Sequence, residues 1–123
     1  MSSRRSDSAA VHIPAIGDLV IGGSCSSKHL RTVELLVTCD FGDVNIREWI
    51  NVQPMIKPKI YPNAVLFGEA VIIIDWNWDS EILSLTNGQL GQWTEIFIPN
   101  KPMGYEPWSM CALNDQILIA SEL

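Results

Sequence analysis

Beyond its first ten residues the chain alternates short apolar runs with turn-forming residues. Nine runs stand out: "DLVIGG", "RTVELLVT", "REWINVQ", "NAVLF", "AVIIID", "SEILSL", "QWTEIFI", "WSMCAL" and "QILIAS". They are rich in Val and Ile and bordered by Gly, Pro, Asn or Asp, the composition of strands closed by turns. Gly68-Glu69, Asn87-Gly88 and Asn114-Asp115 fall between successive runs and read as hairpin turns. Helix signals are scarce, so the pattern predicts an all-β chain. Residues 1–10, "MSSRRSDSAA", are polar and small. They predict a flexible tail, because they carry too little apolar surface to order themselves.

The strand pattern repeats. "GDLVIGG" aligns with "GEAVIIID" and again with "NDQILIAS"; Asp18 to Glu69 is 51 residues and Glu69 to Asp115 is 46. "TVELL" then matches "SEILSL", and "REWINVQPM" matches "GQWTEIFIPNKPM", with Trp49 and Trp93 44 residues apart and Pro54 and Pro102 48 apart. A period in this range marks a β unit that buries its apolar face by stacking on its neighbours.

In this order of marks the chain resembles the kelch repeat family. The marks fall on Val20, Ile21, Gly22, Gly23, Val33, Glu34, Trp49, Pro54 and Met55, and the resemblance covers residues 11–123. It departs from the family where Asp75-Trp76 replaces the double glycine, where Leu35 and Leu36 follow Val-Glu in place of an aromatic residue, and where the third unit stops at Glu122-Leu123. The resemblance implies four-stranded antiparallel blades, with units at 11–55, 56–103 and 104–123: about two and a half blades of a β-propeller, which closes with about 4 to 8. An incomplete ring leaves open strand edges, which offer a route to self-association. The expectation is therefore a fragment of a longer protein, a chain completed by assembly, or a degenerate product that folds poorly.

Composition narrows the setting. The hydrophobic content of 47% suits a folded domain, and the longest uninterrupted apolar run, "AVIII" at 70–74, falls far short of the roughly 20 residues a membrane helix needs. No membrane association is expected, and the early Arg, Asp and Pro residues do not form a secretory leader. Net charge is −6, and residues 60–123 carry one Lys against eight acids. Such a field repels nucleic acid and steers a basic protein partner toward the second half. Cys25, Cys39 and Cys111 are odd in number and widely spaced, which predicts a reducing, cytoplasmic compartment.

Candidate chemistry is sparse. "DLVIGGSCSSK" at 18–28 partly matches a phosphate loop, but Ser27 and His29 stand at the second-glycine and hydroxyl positions, and the sequence that follows alternates like a strand. Cys25 and His29 share a polar loop without a third orienting group. In "DWNWDSE", Asp75, Asn77 and Asp79 begin like a calcium loop, but Ser80 and Thr86 replace the required glycine and bidentate acid. No cofactor, metal or catalytic set is expected. Trp76 and Trp78 alternate with these acids, the composition of a binding hot spot, whereas Trp49, Trp93 and Trp108 fall on strands and read as core.

The resemblance implies a protein-binding face built from the loop after each second strand, here 24–29 and 75–79, and from the inter-blade segments, here 56–60 and 100–106. The expected contact residues are Asp75, Trp76, Trp78 and Asp79, with Lys57, Lys59, Tyr105 and Glu106 beside them. It further implies a non-enzymatic module, commonly the substrate receptor of a cullin-type ubiquitin ligase adaptor. An actin-associated or scaffold kelch protein, or part of a propeller-borne enzyme of the galactose oxidase type, are the alternatives.

Overall fold

The computed structural model describes residues 4–99, 101, 104 and 106–121. Over these residues the chain is all-β, and among them no helix is long and apolar enough to cross a membrane. Strands β1 (Ala9–Ile13), β2 (Gly17–Ile21), β5 (Val33–Phe41) and β6 (Val44–Val52) form one antiparallel four-stranded sheet in that order. Strands β7 (Asn63–Phe67), β8 (Ala70–Ile74), β9 (Ser80–Thr86) and β10 (Gln89–Ile96) form a second, and β11 (Pro107–Leu113) pairs with β12 (Gln116–Ser121). A two-stranded hairpin of β3 (Ser24–Cys25) and β4 (Lys28–His29) stands on the β2–β5 connection. All nine apolar runs fall on strands, and each four-stranded sheet is a simple meander of the kind the repeat predicts.

Period-two alternation positions the core. In the first sheet Leu19 pairs with Leu35 and Ile21 with Val33; in the second Val71 pairs with Leu83, and all six face inward. With Ala9, Ile13, Met55, Ile73 and Trp93 they form one continuous cluster shared by the two sheets. Each fully buried Leu or Ile contributes about 1.5–3 kcal/mol, and the two sheets bury these residues in one shared core. The first strands of the three units lie side by side, because β7 touches both β1 and β11.

Two expectations change. The N-terminal segment, over its described residues, is part of the fold: β1 begins at Ala9, Ser6 bridges to Ser24, and the Arg5 side chain is buried. Local composition misses this because the stabilising partners lie in the first sheet. Of the three tryptophans read as core, Trp93 is buried and its indole N–H donates to the Gln53 carbonyl at 3.0 Å. Trp49 is half-buried on the outer strand β6, and Trp108 is 59% exposed on β11, which packs mainly against β12 and β7.

Candidate functional site

The segments leading into the first strand of each sheet carry the same device. Four residues ahead of β1, Arg5 reaches Glu34 in β5 at 2.8 Å; four residues ahead of β7, Lys59 pairs with Glu81 in β9. All four side chains are about 1% exposed. Arg5 also donates to the Gly22 and Thr32 carbonyls, at 2.9 and 3.0 Å. Glu81 accepts from the backbone N–H groups of Ile56 (2.7 Å) and Lys57 (3.1 Å), while Lys59 donates to the Lys57 carbonyl. Burial of a charge is tolerated when it is paired and hydrogen-bonded inside the protein. Each device therefore pins a connecting segment onto the third strand of the sheet that follows it.

The loop after β8 is organised by Asp75. Its buried carboxylate accepts from the N–H groups of Asn77 (2.9 Å) and Asp79 (3.0 Å) within the loop and of Ile60 (3.1 Å) in the connecting segment. Burial pushes the Asp75 carboxyl above the usual carboxylate range; the three N–H donors offset part of that shift, and nearby Asp79 adds to it. Because those donors fill the Asp75 oxygens, the carboxylate faces backbone and is not presented to a cation. Trp78 sits at φ 66°, a left-handed conformation held by its own N–H to the Asp75 carbonyl and by Ser80 Oγ donating to its carbonyl.

Where these segments meet, an aromatic groove of about 490 Å³ opens. Its walls are Tyr61, Trp76 and Trp108, with Pro62 and Pro107, and Asp7, Ser8 and Asn63 complete it. Tyr61 and Trp76 stack edge to face, ring centroids 5.2 Å apart and planes at 88°. Asp7 and Tyr61 hold equivalent places, each two residues after the buried cation and each at positive φ (55° and 47°). The groove is thus assembled from the start of the first strand in three successive units, plus one residue from the loop after β8. Asn63 Nδ2 donates to the Pro107 carbonyl at 3.4 Å and links β7 to β11 beneath it.

The expected contact residues divide. Trp76, 39% exposed, lies in the groove. Lys57, Trp78 and Asp79 gather instead around a more polar depression of about 310 Å³ with Glu95, Phe97 and Lys101. There Lys57 is held in its charged form by Glu95, which accepts its hydrogen bond at 3.3 Å and carries the opposite charge, with Asp79 adding to the effect. Asp75 and Lys59, expected at the surface, are buried and occupied inside the loop and linker: burying either charge without internal partners would be prohibitive, and both found them. Glu106 is half-buried beside Pro107, and Tyr105 lies outside the described residues.

Sequence reasoning missed Tyr61, Trp108, Pro62, Pro107 and Asp7. The available signal was positional, since all of them flank the first strands of the repeat. The segment 18–28, with its partial likeness to a phosphate loop, leads through the β3–β4 hairpin into strand β5, and His29 Nδ1 lies 3.3 Å from Ser24 Oγ. Compared with known proteins, the chain matches no family model and no curated protein.

Proposed function

We propose that the chain is a protein-interaction module built as successive kelch-type blades of a β-propeller, and that it binds its partner through the aromatic groove. The observation that carries the reading is the convergence of Tyr61 and Trp76 from the second unit and Trp108 from the third onto one open surface. Large aromatic rings left exposed together, rimmed by polar groups, are the anchors that supply most binding energy at protein interfaces. The repeat order and the side-by-side packing of β1, β7 and β11 favour a radial arrangement of sheets, the geometry in which such connecting segments share one face. The groove is preferred to the Lys57–Glu95 depression because it is the more aromatic of the two and because Lys57 there is already paired with Glu95. A role as the substrate receptor of a cullin-type ligase adaptor rests on the kelch resemblance alone.

The test is quantitative capture of partners from cell extract by the tagged chain, compared with Trp76→Ala and Trp108→Ala. Both residues are exposed, so the variants are expected to fold, which circular dichroism checks. Specific partners recovered by the wild-type chain and lost by both variants support the reading; identical recovery by all three overturns it.

A further inference from the structure

The groove's chemistry identifies the kind of segment that fits it. We propose that it takes an extended, proline-containing peptide carrying an arginine or lysine, an inference that rests on the groove being the interaction site. Three observations carry it.

The walls are flat and rigid: three aromatic rings and two prolines, with Tyr61 and Trp76 fixed at 88° to each other. Ridges of this kind accept the pyrrolidine faces of a polyproline II helix, which arrives already extended and loses little entropy on binding. The groove's volume also exceeds what a single side chain fills, so a short stretch of chain is required.

The walls also carry donors without acceptors. Among the described residues no group accepts a hydrogen bond from the Tyr61 hydroxyl or from the indole N–H of Trp76 or Trp108. A polyproline II segment has no internal hydrogen bonds and presents its carbonyls outward, the complement of such a wall. A helical ligand would bring its carbonyls already satisfied.

Finally, the charge is one-sided. Asp7 is exposed at the rim and forms no ion pair among the described residues, and no Lys or Arg lines the groove. An arginine beside the proline run would meet both the Asp7 carboxylate and the aromatic faces.

The experiment titrates the full chain into fluorescein-labelled decapeptides and follows anisotropy. The probes are a proline-rich peptide with one arginine, the same peptide with glutamate for arginine, and a Gly-Ser peptide with one arginine. The proline–arginine probe is expected to bind most tightly. Trp76→Ala should weaken it by about tenfold or more, as loss of a central aromatic anchor does. Asp7→Asn should weaken only the arginine-bearing probe, by about two- to fivefold and less at high salt. Tyr61→Phe removes one oxygen and preserves packing, so reduced affinity in that variant reports the hydroxyl's hydrogen bond and not misfolding. Equal binding of the Gly-Ser and proline probes, or no binding of any probe, overturns the proposal. If no probe binds while Trp76→Ala still abolishes partner capture, the peptide class is wrong and the interaction reading stands; if capture is also unchanged, both fall.

Discussion

The two four-stranded sheets are built on one plan and differ where the second strand ends. In the first sheet β2 runs into Gly22-Gly23, at φ 65° and 94°. A Cβ on Gly23 would lie 2.5 Å from the Ser6 carbonyl oxygen, so the glycine lets the N-terminal segment lie directly on the strand end. In the second sheet β8 runs into Asp75-Trp76. There the connecting segment is held by the Asp75 carboxylate and by Trp76 N–H donating to the Ile60 carbonyl at 2.8 Å, and the indole turns out over Tyr61. The same joint is closed by backbone proximity in one sheet and by a buried side-chain cap in the other. The second solution leaves room for a large aromatic side chain, and that side chain forms a wall of the groove.

The largest effect should come from the buried ion pairs. Glu81→Gln leaves Lys59 without its counter-charge inside the protein, and a loss of about 3–5 kcal/mol is expected from urea unfolding. Arg5→Met and Lys59→Met should cost similar amounts, because both pairs are equally buried and each substitution takes the cation away from a buried carboxylate. Clearly unequal losses would mean that the two devices do not hold their segments alike.

Asp75→Asn turns one of the two accepting oxygens into a donor aimed at an N–H group, so a loss of about 1–3 kcal/mol is expected. Its pH dependence has a defined sign. The folded carboxyl titrates above the unfolded one, so the folded state binds the proton more tightly and the wild-type chain loses stability as pH rises from the usual carboxylate range through the folded value. The Asn variant lacks this titration, and the stability gap between the two should narrow over that window. A gap that widens would contradict burial as the dominant influence on Asp75.

Gly23→Ala imposes a left-handed alanine, at about 1–2 kcal/mol, and pushes Ser6 away. Hydrogen exchange should show the Ser6 and Ser24 amides losing protection while the second sheet is unchanged. The smallest effect on stability is expected for Trp76→Gly, which makes the second joint resemble the first. It removes the contact with Tyr61, worth about 0.5–1.5 kcal/mol, yet should abolish partner capture. A large stability loss would place Trp76 in the fold's support and not in its binding surface.

Much of this fold can be read locally. Nine strand runs and three turns follow from alternation and turn chemistry, and "NAVLF" and "QILIAS" coincide with β7 and β12. Strand β1 escapes such reading because "AAVHI" offers two alanines and a histidine, which have little strand preference of their own. It is a strand because Ala9, Val11 and Ile13 alternate against β2. The site is less legible. Trp76 was visible as an unusual residue at a repeat position, but Trp108 looks identical to Trp93 in a strand pattern. Only the neighbours decide that Trp93 is covered and Trp108 is open.

The sequence by itself determined the strands, their order in two repeated sheets and the inward alternation of the core, because these depend on period-two patterning and residue-specific turns. Tertiary structure decided which charges are buried. Arg5, Lys59, Asp75, Glu34 and Glu81 have the composition of surface residues, and each is inside because a partner distant in sequence satisfies it. It also decided where the groove lies, since its rings come from the segment before β7, the loop after β8 and strand β11, and Trp108 joins the other two only when β7 and β11 pack side by side.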